Sequence, residues 1–318
     1  MASAPLASVV VCTHNRSRLL AEACRSVLAV DFPSDAWELV IIDNRSTDDT
    51  LEVAHGIADE HPGRVRVIEE PAIGLSTARN RGIREARGEI VAFLDDDAFP
   101  DATWLKALVD ALEQDSALAA GGPVEPLFEG DLPDWFAERY LPYLTVWDRG
   151  DQLHALAYNE YPRGANIAFR KEAFERFGGF SPELGRKGKS LRSCEEIEIC
   201  LRIERGGGKI LYVPGAGVRH RVSTERITPR WLVARFGAQG RSEAIIDWQH
   251  GGMRGLRKGL DQALRNAVGG FRHRHRDGKL LAHCHRGALW GYIDGMVRSV
   301  FTVRRYRPLE PATDWPTT

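Results

Sequence analysis

The sequence predicts an α/β protein with a Rossmann-like, mostly parallel sheet flanked by helices and a helical C-terminal extension. Three observations carry that expectation. Short β-branched runs alternate with segments of helical period through the first hundred residues. Polar clusters follow the strands at their carboxyl ends, where open α/β sheets bind ligands. Residues 223–318 are helical in pattern and basic.

The first strand is predicted at residues 8–12, and a helix follows over 18–30, where Leu19, Leu20, Ala23, Val27 and Leu28 keep helical spacing. Residues 37–42 form a second buried strand. A polar turn leads into a helix over 47–60, with Ser46 or Thr47 as its N-cap. A strand at 65–69, a helix over 76–86 and a strand at 89–94 complete a βαβαβαβ series, the order of parallel strands joined by crossover helices. Strand character returns at 209–213. Beyond it, Trp231, Leu232, Arg235 and Phe236 recur at helical spacing, and residues 287–305 read as an amphipathic helix carrying Asp294 and Arg298.

Chain-wide properties exclude several classes. At 318 residues the chain can hold one large α/β domain with an appendage. Its 43% apolar and 27% charged residues are those of an ordinary globular protein, and a net charge of -1 gives no reason to expect nucleic acid as a partner. Cys12, Cys24, Cys194, Cys200 and Cys284 show no CxxC spacing, so a disulfide framework is not expected and a reducing cytoplasm fits best. Residues 1–8 hold neither a basic n-region nor an apolar stretch, and no run of about eighteen apolar residues is present to span a membrane. Charge is uneven locally: residues 251–290 contain nine Lys/Arg against two Asp, with four His. Such a stretch suits anionic lipid, a phosphorylated acceptor or plain solvation.

The most telling stretch is Phe93-Leu94-Asp95-Asp96-Asp97, in which an apolar run delivers three consecutive carboxylates to the end of a buried strand. Crowded carboxylates repel one another and resist desolvation unless a cation or a set of donors compensates them, so a divalent metal is expected. Mg²⁺ or Mn²⁺ takes oxygen ligands from one or two carboxylates plus phosphates, which a D-x-D element offers. Two further polar clusters, Thr13-His14-Asn15 and Asp43-Asn44-Arg45-Ser46-Thr47-Asp48, fall at strand ends. Glu195-Glu196 opens a helical pattern continued by Glu198, Ile199, Leu201, Arg202 and Ile203. That places both carboxylates in a first turn, where the helix dipole favours anions.

Several pieces in a fixed order resemble the family 2 glycosyltransferases. They are Val9-Val10-Val11-Cys12-Thr13-His14-Asn15-Arg16, Ile41-Ile42-Asp43-Asn44, Gly74-Leu75-Ser76-Thr77-Ala78-Arg79-Asn80-Arg81-Gly82, and the stretch from Gly88 to Asp97. The likeness continues through Gly164-Ala165-Asn166, Phe177-Gly178-Gly179-Phe180 and Cys194-Glu195-Glu196, covering roughly residues 7–222. It implies a GT-A fold, with a nucleotide-sugar-binding half at 1–115, an acceptor-binding half at 116–222 and the extension at 223–318.

The resemblance also implies roles. Asp97 is the direct ligand of Mn²⁺ or Mg²⁺, with Asp95 and Asp96 against the ribose and the metal's waters. Asp95 and His220 then complete the metal set. Thr13, Asp43 and Asn44 meet the base and ribose. Asn44 stands where many relatives have a second Asp, so UDP is expected first, with dTDP and GDP left open. Arg79 and Asn80 open a helix beside the metal strand, where an Arg either pairs with diphosphate oxygens or lies on a solvated face. Glu196 is the expected general base and Glu195 its supporting residue. Since one base and no separate nucleophile is visible, the transfer of a hexose-like sugar inverts the anomeric centre.

The acceptor is expected to be a hydroxyl of a glycan, a lipid-linked glycan or a small molecule, as in polysaccharide biosynthesis. Asn166 is expected on its side of the cleft. Trp135, Phe136, Tyr140, Tyr143 and Trp147, followed by Tyr158 and Tyr161, either stack on sugars or pack a lid. The loop Gly185-Arg186-Lys187-Gly188-Lys189 is placed to close over donor phosphates. His273, His275, His283 and His285 belong to the basic surface. The extension is open to three roles: peripheral contact with the inner face of a membrane, a helical cover, or a homo-oligomer interface. Two other functions compete. A sugar-phosphate nucleotidyltransferase wants a Gly-rich loop after the first strand, which Thr13-His14-Asn15-Arg16 is not. A silent carbohydrate-binding subunit has no use for carboxylates at 95, 97 and 196.

Overall fold

A computed structural model describes residues 4–269 and 277–305. Strands β1 (Ala7–Thr13) and β2 (Trp37–Asp43) are buried along almost their whole length, because helices cover both sheet faces. With β3 (Val65–Glu69) and β4 (Ile90–Asp95) they run parallel in the order β3-β2-β1-β4. Helices α1 (Ser17–Leu28), α2 (Thr50–Glu60) and α3 (Leu75–Glu85) make the crossovers. The predicted βαβαβαβ order is therefore the one observed.

Helix α2 starts later than the sequence suggested. Asp48 Oδ1 accepts hydrogen bonds from the Thr50 N–H and hydroxyl, holding the preceding residues in a turn. Ser46 and Thr47 cap nothing; they tie this turn to the loop after β1, where Ser46 Oγ accepts the Asn15 N–H and Asn15 Oδ1 accepts the Thr47 N–H.

The second half continues the same sheet. After β5 (Ala98–Pro100) and α4 (Trp104–Gln114) come β6 (Ala119–Gly121), β7 (Val124–Phe128), β8 (His154–Ala155) and β9 (Asn166–Arg170). Then follow α5 (Lys171–Phe177), α6 (Glu195–Arg205), β10 (Ile210–Tyr212) and β11 (Val218–Val222). One eight-stranded sheet results, β3-β2-β1-β4-β9-β6-β10-β8, in which β9 lies antiparallel between β4 and β6. The 115/116 boundary is thus a seam within one sheet. A three-stranded sheet, β5-β11-β7, sits beside it, and its antiparallel β5–β11 pairing sets His220 opposite Ala98.

The extension is helical, as expected. Helix α7 (Pro229–Gly269) is two helices meeting at Gly252, whose φ of 56° and ψ of -143° break the ladder. Helix α8 (Gly278–Thr302) packs closely along it: a Cβ at Gly291 would collide with the carbonyl of Gly237, and one at Gly240 with that of Ala288. Among the described residues no helix is long and apolar enough to cross a membrane.

The aromatic segment serves this extension. Tyr143 stacks on Phe236 of α7 with centroids 3.7 Å apart, and the buried Tyr140 donates its hydroxyl to Asp277 at 2.9 Å. Trp147 and Tyr161 are also buried, while Tyr158 is exposed. The buried rings of this set pack the fold, while the exposed Tyr158 stays available for the other role. His283 is exposed on α8 with Nδ1 at the carbonyl of Lys279, and the His285 ring tilts against Phe236. His273 and His275 lie outside the described residues.

Candidate active site

The parallel register of β1 and β4 pairs Cys12 with Asp95, so Thr13 and the aspartate triplet emerge side by side at the carboxyl edge of the sheet. They line a cavity of about 290 Å³ together with His14, Arg16, Asn44, Arg186, His220 and Arg226. The cavity thus lies where such sheets bind ligands.

Asp95, Asp97 and His220 form the only metal-competent cluster found among the described residues, their ligand atoms all within 4.8 Å of one another. His220 Nε2 lies 3.1 Å from Asp97 Oδ1 and 4.0 Å from Asp95 Oδ2. The β5–β11 pairing accounts for this meeting across 123 positions, and the Arg221 N–H donating to the Asp97 carbonyl at 2.8 Å fixes it. His220 Nδ1 is buried and has no partner. Two carboxylates and an imidazole fit Mn²⁺ or Mg²⁺ by donor type.

Cations surround the acids. Arg16 Nη1 bridges Asp96 Oδ1 and Asp97 Oδ2, both at 2.8 Å, and Arg226 Nη2 lies 3.2 Å from Asp97 Oδ2. Burial opposes ionisation of Asp97, but the His220 ring with Arg226 and Arg16 overcomes it and holds the carboxyl well below its ordinary range. In Asp96, which accepts the Thr13 hydroxyl at 2.8 Å, burial wins over Arg16 and pushes the group up to about 6. The Arg186 carbonyl accepts the Leu75 N–H at 2.8 Å, but its side chain makes no hydrogen bond or ion pair with described residues. Burial, helped by Arg226 and Arg235, pushes it down to about 10.

Arg79 has different surroundings from either that the sequence offered. It is buried, bridging Asp95 at 2.9 Å and Glu195 at 2.6 Å while donating to the Gly164 carbonyl. It therefore faces carboxylates, has no solvated face and is not among the residues that line the cavity. Asn80 also lies off the cavity: its amide clasps the backbone N–H and carbonyl of Phe180. Asn44 lines the cavity, but its amide donates to the carbonyls of Glu70 and Ala72 and accepts the Gly74 N–H, bracing that wall. Asp43 is buried; Oδ2 accepts the Ser46 N–H and Oδ1 has no partner. Asn166, expected on the acceptor side, is wholly buried and holds Trp104 and the carbonyls of Pro123 and Ala216.

Glu195 and Glu196 occupy the first turn of α6 as predicted, after Cys194 in a left-handed conformation (φ 73°). Burial and then the adjacent Glu196 raise the Glu195 carboxyl to about 7 against the pull of Arg79. The Glu196 carboxylate accepts no hydrogen bond from described residues, and Glu196 does not line the cavity. Removing Arg79 would strand the buried Glu195 and take a partner from the partly exposed Asp95, so Arg79→Ala should cost about 3–5 kcal/mol in a denaturant titration. A loss under about 1 kcal/mol would show the bridge to be inconsequential.

A Rossmann-like sheet with a D-x-D edge and a second acidic helix start is the architecture of the GT-A glycosyltransferases. The mannosyltransferase PcManGT from Pyrobaculum calidifontis, solved with GDP-Man and Mn²⁺, superposes on it with a TM-score of 0.61 at 20% identity, covering 94% of this chain and 88% of that one. The family model for glycosyl transferase family 2 matches residues 8–178, and the chain belongs to that family. It is 32% identical to the glucosyl-dolichyl phosphate glucuronosyltransferase of Haloferax volcanii over 245 residues, 76% of this chain and 77% of that one. It is 27% identical to the succinoglycan biosynthesis protein ExoM of Rhizobium meliloti over 266 residues, 82% and 81% of the two chains.

Proposed function

We propose that this glycosyltransferase is an inverting, metal-dependent enzyme moving a sugar from a nucleoside diphosphate, UDP first with dTDP and GDP as alternatives, to a hydroxyl of a glycan, lipid-linked glycan or small molecule. The observation that carries this reading is the convergence of Asp95, Asp97 and His220 at a cavity that also holds Arg186 and Arg226. Those three side chains are the proposed holders of Mn²⁺ or Mg²⁺. Bound there, the cation supplies positive charge to the departing diphosphate.

The remaining work falls to the chain's own groups. Arg186, with no carboxylate partner of its own, and Arg226 pair with diphosphate oxygens. Asp43, with one unpartnered oxygen, is the candidate acceptor for the base edge. Glu196 takes the proton from the acceptor hydroxyl as the new C–O bond forms and the bond to phosphate breaks, inverting the carbon in a single step. Glu195 and Arg79 are positioning residues: their ion pair ties the start of α6 to Asp95. Thermal shifts with UDP, dTDP and GDP, each with and without Mn²⁺, test the reading; no metal-dependent shift with any of the three would overturn it.

Arg186→Gln should weaken nucleoside diphosphate binding roughly tenfold in calorimetry while leaving the melting temperature unchanged, since no described hydrogen bond is lost. Unaltered affinity would remove Arg186 from the phosphate set. Contact with the inner face of a membrane is assigned to α8, where Trp290, Val297 and Phe301 are exposed and spaced along one face. Co-sedimentation with vesicles tests it, and self-association through the same face is the competing outcome.

A further inference from the structure

A second cavity, about 300 Å³, lies between the segment before α6 and the two helices of the extension. One wall carries Ser190 and Arg192; the other carries Arg241 of α7 with Arg298, Ser299 and Thr302 of α8. None of these residues takes part in the chemistry described above. The segment 183–192 is nevertheless common to both cavities, since it gives Arg186 and Gly188 to the first and Glu183, Ser190 and Arg192 to the second.

Its polar groups are incompletely matched. Asp294 takes two of the three guanidiniums, Arg241 at 2.6 Å and Arg298 at 2.9 Å. Arg192 has no carboxylate partner among the described residues and donates only to the Ser190 hydroxyl and the Glu183 carbonyl. Glu183 is itself exposed and forms no ion pair there. Ser299 is wholly buried, and its hydroxyl has no hydrogen-bond partner. A buried hydroxyl left unpaired costs stability unless a ligand or water completes it. The cavity therefore presents net positive charge from both walls, with an unused hydroxyl buried in one of them.

We propose that this cavity binds a phosphate-bearing ligand. A carboxylate is planar and offers two oxygens, as Asp294 already does. Donors converging from Arg192 on one wall and from Arg298 and Ser299 on the other suit the several non-coplanar oxygens of a tetrahedral phosphate. The ligand's source is a free phosphate compound or a lipid headgroup, and the two are separable by experiment.

The full chain is titrated with inorganic phosphate by calorimetry, and separately co-sedimented with phosphatidylcholine vesicles lacking or containing phosphatidic acid. Each titration is repeated on Arg192→Gln and Arg298→Gln. Phosphate binding weakened roughly tenfold or more by Arg192→Gln supports the site with a soluble ligand. Phosphatidic-acid-dependent sedimentation lost in the same variant supports it with a lipid headgroup. If Arg192→Gln melts below the parent without ligand, Arg298→Gln decides, because that side chain is 71% exposed and leaves the fold intact. No binding of either probe, or binding equal in the parent and the deciding variant, overturns the proposal. Phosphate binding lost only on Arg186→Gln has the same consequence, since it assigns the ion to the first cavity.

Discussion

Asp97→Ala is expected to abolish the Mn²⁺-dependent thermal shift given by nucleoside diphosphate and to lower turnover on the order of a thousandfold. The expectation rests on three contacts made by one carboxylate: His220 on one oxygen, Arg16 and Arg226 on the other. In the parent these three partners hold Asp97 ionised in a buried place, which keeps a hard, charged ligand ready. Alanine leaves Arg16, Arg226 and His220 facing one another with one negative charge fewer. The variant should therefore hold a divalent cation poorly, since Asp95 and His220 alone offer two ligand atoms. Metal affinity is measured by equilibrium dialysis and turnover by release of the nucleoside diphosphate. Unchanged Mn²⁺ affinity would move the metal away from Asp97.

Glu196→Gln separates the two halves of the reaction. The amide keeps the shape of the side chain but cannot take a proton, so turnover should fall by about 10²–10⁴ while the affinity for nucleoside diphosphate and Mn²⁺ stays at the parental value. Because the Glu196 carboxylate accepts no hydrogen bond from described residues, the substitution strands no partner, and the melting temperature should hold. Glu195→Gln is the informative contrast. It weakens the bridge to Arg79 at 2.6 Å, so its effect should appear in stability as well as in rate. A Glu196→Gln enzyme that turned over at the parental rate would dismiss Glu196 as the base and direct attention to Glu195, whose carboxyl is already raised to about 7.

What could be read from the sequence was what local pattern encodes. The parallel strands, the polar clusters at their ends and the start of α6 follow from apolar runs and helical spacing. Asp95, Asp96 and Asp97 stood out because an apolar strand leads straight into them. The cations of the site were unevenly marked. Composition singled out the loop that carries Arg186, whereas Arg226 reaches the cavity through long-range packing, which periodicity does not contain, and Arg16 lies in a run whose pattern speaks only of a strand end. Asn80 and Asn166 illustrate the converse: polar residues in telling places whose amides clasp backbone inside the protein. The antiparallel β9 within a largely parallel sheet was equally hidden, since strand direction depends on chain path.

Arg79 also sets a rule for recombining this protein with its relatives. A crossover at the 115/116 seam would take the guanidinium and Asp95 from one parent, and Glu195 and the Gly164 carbonyl from the other. The seam looks like a convenient joint, yet a cluster of one guanidinium and two carboxylates is stitched across it. Chimaeras that change the half after residue 115 must inherit matching partners on both sides, or they will join two sound halves around an unpaired buried charge.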